Sequence, residues 1–274
     1  MLISIISVCY RARIELEETI KSVLKQTYYN IELIIVDGES NDGTLEMINK
    51  YLLEFKKKGI EVRIISEPDS GIYDAMNKGI QIASGEWCIF MNAGDTFYGN
   101  DALTIMSKYC TNNYDIIYGD AAHCYNNKIK IIKAKKSAEL TFINGMEFCH
   151  QATLIKTANL KKRGYDITYK IAGDYDFFVN AYRNFANFYH VPCTVAVFQK
   201  DGISSTYAGL VKLENAKVKY KYSLINKKQF FLELIKARTF LFIRNILPKK
   251  IIMTRHAMIM KRSTKNWELY NYKN

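Results

Sequence analysis

Three apolar runs early in the chain end in side chains capable of polar chemistry. "LISIISV" holds Ser7 and leads to Tyr10, "IELIIVD" closes on Asp37, and "EWCIFM" runs into "NAGD", Asn92 to Asp95. Oxygen donors of this kind, set beside short glycine-containing loops, suit a nucleotide accompanied by a divalent cation. Asp95 is the sole carboxylate of its stretch. One carboxylate is enough for Mg²⁺ when a bound phosphate supplies further oxygens and water fills the rest. Each feature also has a plain structural reading, because "SNDG" after Asp37 is good turn chemistry and "NAGD" can be a capped turn. The first run enters "VCYRARIE" with no GxGxxG, so it cannot seat a dinucleotide as an NAD-type fold does, and a Walker A loop is also absent.

The elements that must position these residues follow from periodicity. Strand-like runs at Leu2 to Val8, Ile31 to Asp37, Val62 to Ser66 and "EWCIFM" alternate with helical patterns over residues 15–26, 44–58 and 71–84. This βαβαβαβ order predicts a parallel, doubly wound sheet with functional loops at the carboxyl ends of the strands. Beyond Asp95 the pattern is mixed, with strands at Asp115 to Asp120, Lys128 to Ala134 and Phe188 to Phe198 and a helix at Gly173 to Phe185.

Length and composition bound the rest. The 274 residues, about half of them apolar, can bury a substantial core in one α/β domain. No composition break appears before residue 210, so the expected division is a domain over 1–210 and a tail over 211–274. The net charge of +12 belongs to the tail, where 16 Lys or Arg face 3 Glu; the preceding residues carry 23 basic and 24 acidic groups. Six cysteines without CxxC spacing read as reduced core residues of a cytoplasmic protein. The N-terminus has no signal-peptide pattern and no run is long enough to span a bilayer, so any membrane contact is expected to be peripheral.

The stretches "ISVCYR", "IKSVLKQTYYNIELIIVDGESNDGT", "ISEPDSGIYDAMNKGIQIASGEW", "FMNAGD", "HQA" and "IAGDYDF" occur in one order along the chain. In this they resemble the family 2 glycosyltransferases, inverting enzymes of GT-A fold, and among them a bacterial branch that builds surface polysaccharides such as capsule, O-antigen or exopolysaccharide. The resemblance covers roughly residues 2–205. It implies a mixed α/β sheet flanked by helices, binding a nucleotide-diphosphate sugar, in particular a UDP-sugar. By motif position Asp37 meets the base, Ser7, Tyr10 and Arg11 line its pocket, and Asp74, Asn77 and Lys78 hold donor hydroxyls or phosphate. Asp95 becomes the direct ligand of Mn²⁺ or Mg²⁺, with Asn92 and Gly94 where relatives often carry aspartates. Asp174 becomes the base that deprotonates the acceptor hydroxyl, although a bare N-cap would look the same. Asp176, two residues on, is turned away by a helix and takes a supporting role. His150 and Gln151 fall near the acceptor or the pyrophosphate. "KDGISS", Lys200 to Ser205, resembles a segment that closes over the donor.

The tail interleaves aromatics with lysines. In its helical pattern Gln229, Glu233, Lys236 and Arg244 fall broadly on one side, and Phe230, Phe231, Leu234, Phe242 and Ile246 fall elsewhere. Since family members often use acceptors anchored by a polyprenyl diphosphate, the resemblance favours docking on the cytoplasmic face of the inner membrane. A homodimer contact is the next reading, and nucleic acid is not expected. Two other functions compete with the transferase: a non-catalytic nucleotide-sugar-binding protein of the same fold, and a sugar nucleotidyltransferase. The latter needs a glycine-rich basic loop after the first strand, which this chain lacks.

Overall fold

In a computed structural model describing residues 1–125, 128–199, 207–246 and 267–269, the expected alternation takes definite form. It runs β1 (Ile3–Cys9), α1 (Arg13–Leu24), β2 (Ile31–Asp37), α2 (Thr44–Lys57), β3 (Glu61–Ser66), α3 (Ile72–Ile82) and β4 (Trp87–Phe90). Every residue of β1, β2 and β4 is buried, which is why these strands read as predominantly apolar runs and not as an alternation. These strands pair in parallel in the order β3-β2-β1-β4. The chain winds outward from β1 to β3 and then lays β4 on the other side of β1. The crevice beyond the carboxyl ends of β1 and β4 is therefore a topological switch point, where loops diverge and leave room for a ligand.

Period two decides which layer each side chain joins. Ile3, Ile5, Leu33 and Ile35 pack with Leu16, Ile20 and Val23 of α1 and Met47 and Phe55 of α2. Ile6, Val8, Ile34 and Val36 pack on the opposite face with Tyr73, Met76 and Ile80 of α3. One buried charge interrupts β2: Glu32, whose carboxylate accepts from Ser4 Oγ (2.6 Å), Ser84 N (2.6 Å) and Gly85 N (3.0 Å) and faces Arg63 at 3.6 Å. All three hydrogen bonds fall on Oε1, and the Arg63 guanidinium is the counter-charge that makes the buried Oε2 tolerable inside the sheet.

The remaining elements are β5 (Thr96–Phe97), α4 (Ala102–Ser107), β6 (Ile116–Tyr125), β7 (Lys128–Ile132), β8 (Thr153–Lys156), α5 (Thr157–Arg163), α6 (Gly173–Arg183), β9 (Phe188–Gln199), α7 (Ala208–Lys221), α8 (Lys227–Ile246) and β10 (Glu268–Leu269). β8 enters antiparallel between β4 and β6, and β9 lies parallel to β6. The sheet is thus parallel over β1 to β4 and mixed beyond. β8, at four residues, is too short to announce itself by periodicity.

The division expected at residue 210 falls inside the first turn of α7. That helix buries Glu214, Ala216 and Val218, and Lys221 at its end reaches Asp176 at 2.9 Å. α7 therefore belongs to the packed domain. α8 runs back along it, with Phe230 stacked on Tyr220 at 4.4 Å and Lys219 paired with Glu233 at 3.1 Å. Glu233 consequently faces α7 instead of sharing a solvent face with Gln229 and Lys236.

Candidate functional site

The switch point is stitched together by Ser7, whose hydroxyl donates to Met91 O at 2.6 Å across the β1–β4 gap. Beside it lies Asp37, fully buried at the end of β2. Its Oδ2 accepts from Ser40 N (3.0 Å) and Ser66 Oγ (2.8 Å), and among the described residues its Oδ1 meets only the Cys9 thiol, at 3.6 Å. Asp37 thus organises the β2–α2 loop and keeps acceptor capacity on Oδ1. Arg11 takes a left-handed backbone conformation (φ 49°), donates its N–H to Ser40 Oγ at 2.7 Å and lays its guanidinium 5.1 Å from the exposed Tyr10 ring. Tyr10 and Asp69 close tightly on Gly38, where an added Cβ would stand 3.2 Å from the ring and 2.6 Å from the carboxylate. These groups form one wall of the crevice.

Asn92 to Asp95 form the turn leaving β4. Thr19, buried in α1, donates to Asn92 O (3.1 Å) and Asp95 O (2.8 Å) and accepts from Gly94 N (3.1 Å). Gly94 sits at φ 94°, a conformation a side chain would strain. The Asp95 carboxyl is pushed up to about 7 by burial, partly offset by its hydrogen bond with Gln151. Among the described residues the buried Asn92 Oδ1 has no hydrogen-bond partner.

Asp174 opens α6. Its Oδ1 accepts from Tyr73 Oη of α3 at 3.0 Å and from Tyr175 N at 2.8 Å. Burial holds its carboxyl above the usual range, with these hydrogen bonds pulling the other way. The Cys149 thiol lies within electrostatic reach of both Asp95 and Asp174, whose charges raise it further. A partly buried carboxylate of raised basicity can take a proton, and a second one at the end of a parallel strand can hold a cation.

Residues 4–186 match the model of glycosyl transferase family 2. The chain belongs to this family. A PGL/p-HBAD biosynthesis glycosyltransferase of Mycobacterium bovis is 31% identical over 166 residues, covering 60% of this chain and 62% of the relative. The Escherichia coli UDP-Glc:alpha-D-GlcNAc-diphosphoundecaprenol beta-1,3-glucosyltransferase WfgD is 34% identical over 128 residues, or 47% of this chain and 49% of WfgD. The matches thus span less than two thirds of these relatives. Among solved structures, Staphylococcus aureus TarS 1-349 with UDP-GlcNAc superposes over 86% of this chain and 71% of its own (TM-score 0.65, 17% identity). The mannosyltransferase PcManGT of Pyrobaculum calidifontis, with GDP-Man and Mn²⁺, does so over 96% and 81% (TM-score 0.64, 15% identity). The fold is GT-A.

Within this family fold the donor set fits a divalent cation. Among the described residues no three acidic, histidine or cysteine side chains converge, so protein atoms alone make a poor site. The buried Asp95 carboxylate and the unpartnered Asn92 oxygen nonetheless offer two oxygens at one turn. A cation bringing phosphate oxygens of its own would satisfy both.

Other expected residues are engaged elsewhere. Asn77 gives both amide atoms to Tyr165, donating to its O and accepting from its N, each at 2.8 Å; this pins α3 to the loop after α5. Asp74 accepts from Ser70 N at 2.9 Å, and Lys78 bonds Pro68 O (2.6 Å) and Glu67 (2.9 Å), so the pair braces the turn over residues 67–74. His150 bonds the Tyr165 hydroxyl at 2.8 Å and packs against Phe90 and Phe178; burial pushes it down to about 3, so it stays neutral. Gln151 does reach the site, through Asp95. Asp176 is fully buried between Arg163 and Lys221. The segment Lys200 to Ser205 lies outside the described residues. Tyr73, Thr19 and Asp69 join the site although no motif assigns them to it. Thr19 left one signal, a polar residue on the buried face of an amphipathic helix.

Proposed function

We propose that this family 2 member is a metal-dependent inverting transferase that moves a sugar from a UDP-sugar to a lipid-linked oligosaccharide in surface-polysaccharide synthesis. One observation carries the reading: Asp174, partly buried and raised in basicity, is held at the start of α6 by the Tyr73 hydroxyl, and the Cys149 thiol lies within electrostatic reach of it and of Asp95 at the end of β4. TarS with UDP-GlcNAc and PcManGT with GDP-Man and Mn²⁺ support a nucleotide-sugar donor and a cation, and WfgD, acting on a diphosphoundecaprenol-linked sugar, supports the acceptor class. Asp95 and Asn92 would hold a cation that offsets charge on the donor's phosphates. Ser7, Tyr10, Arg11 and Asp37 form the wall suited to the base, and Asp74 and Lys78 shape the turn beside it. Asp174 Oδ2 takes the proton of the acceptor hydroxyl as that oxygen bonds to the anomeric carbon; the bond to the nucleotide diphosphate breaks on the opposite face, inverting the configuration. Asp174→Asn tests this directly. Transfer is expected to fall while donor binding persists, and unchanged turnover would overturn the assignment.

The acceptor's lipid places the reaction at a membrane surface, and α8 fits that place. Phe231, Leu232, Ile235, Phe242 and Ile243 are exposed along one stripe of the helix, with Lys236 and Arg238 at its edges. No helix among the described residues is long and apolar enough to cross a bilayer. An apolar stripe with cationic margins suits the interface of anionic lipid.

A further inference from the structure

Between α5 and α6 the chain forms no helix or strand, yet this loop delivers Asp174. Three successive N–H groups of the loop, on Lys170 (3.0 Å), Ile171 (2.9 Å) and Ala172 (3.0 Å), donate to the carboxylate of Glu214 on α7. Consecutive backbone amides of this kind form an anion cradle, and here the chain fills it with its own carboxylate. Glu214 is only 5% exposed. The carbonyl side of the same loop is tied to α3, where Tyr73 Oη bonds Ile171 O at 2.6 Å. Gly173 then passes so close to the Tyr73 ring that a Cβ would stand 2.8 Å from it. Seven residues further along α7, Lys221 bonds Asp176 at 2.9 Å. α7 thus grips the backbone just before Asp174 and the side chain just after it.

We propose that Glu214 is a positioning residue that fixes the place of the Asp174 carboxylate in the crevice. The inference rests on the reading of Asp174 as the base. Burying a carboxylate is a costly way to brace an ordinary loop, and apolar packing would serve stability as well. Three amide bonds to one charge determine the loop's path far more tightly. A displacement of about 1 Å in a reacting group can cost on the order of 100-fold in rate.

The test compares Glu214→Gln and Glu214→Asp with the parent in the full chain, counting turnover per donor-binding molecule so that unfolded protein does not enter. Glu214→Gln places an NH₂ group against the N–H donors. It is expected to lower turnover about 10- to 100-fold with donor affinity within about twofold. Glu214→Asp keeps the charge, withdrawn by one methylene, and is expected to lose less; it carries the comparison if the Gln variant does not fold. Parental turnover in Glu214→Gln would overturn the inference. So would a loss in which donor affinity, melting temperature and turnover fall together and Asp rescues nothing. Asp174→Asn is run alongside. If it is inactive while Glu214→Gln is not, the Glu214 inference alone fails; if it turns over normally, the base reading fails as well.

Discussion

The two carboxylates of "GDYD" are two residues apart and are expected to fail in opposite ways. Asp176 is fully buried, and its oxygens are taken by Arg163 Nη2 and by Lys221 Nζ at 2.9 Å. Asp176→Asn keeps the shape and removes the charge. Arg163 has little to fall back on, since among the described residues its buried Nη1 has no hydrogen-bond partner and Nη2 would keep only a neutral amide oxygen and the Tyr222 hydroxyl at 3.1 Å. Removing one partner of a buried ion pair costs about 3–5 kcal/mol. Lys221 keeps Asp166 at 3.5 Å, which places the expectation near the low end of that range. A loss of about 3 kcal/mol lowers the melting temperature by roughly 6–12 °C in a chain of this size. Urea titration at neutral pH measures the first quantity and a thermal scan the second.

Asp174→Asn should do the reverse. Burial raises the Asp174 carboxyl, so the folded protein holds that proton more tightly than the unfolded chain does. The group's contribution to stability is full below the unfolded pKa and is lost as pH rises through the raised folded value. Asn has no such loss, so this variant should match or exceed the parent's stability at neutral pH, with a gap that widens from acid upward. Its transfer rate should nevertheless fall about 10²- to 10⁴-fold, the usual worth of a general base. If Asp176→Asn melts within about 2 °C of the parent and loses transfer, the roles have been exchanged and the reasoning fails.

Asp95→Ala is expected to abolish the effect of Mn²⁺ on UDP-sugar binding, and the parent should bind Mn²⁺ weakly without nucleotide; calorimetry with and without UDP checks both. Thr19→Val removes the hydroxyl that holds the Asn92–Asp95 turn, leaving buried backbone groups unsatisfied at about 1–3 kcal/mol, and should reduce the Mn²⁺ enhancement in the same assay. Replacing Phe231, Ile235 and Phe242 together by Ser should release the full chain from anionic vesicles while hydrolysis of the donor in solution is retained; no vesicle binding by the parent would sink the membrane reading.

Much of this protein was determined locally. β1, β2 and β4 are dominated by apolar residues because both faces of each are covered, and α1, α2 and α3 show one apolar stripe each, so periodicity alone placed them and their order implied the switch point. The residues at the strand ends, Ser7, Asp37 and Asp95, followed from that order. What tertiary structure decided was how each polar side chain is used. Asn77 and Lys78 look like donor contacts on a helix near the site, yet their bonds go to Tyr165 and to the turn over residues 67–74, and His150 lies in an aromatic cluster. Tyr73 and Glu214 reach Asp174 or its loop from about 100 and about 40 residues away in sequence. Such partnerships leave no periodic trace, because a single buried hydrogen bond between distant segments imposes no repeating pattern on either one. α7 is the clearest case: its lysines read as the start of a basic tail, but the buried Glu214 among them ties it to the site.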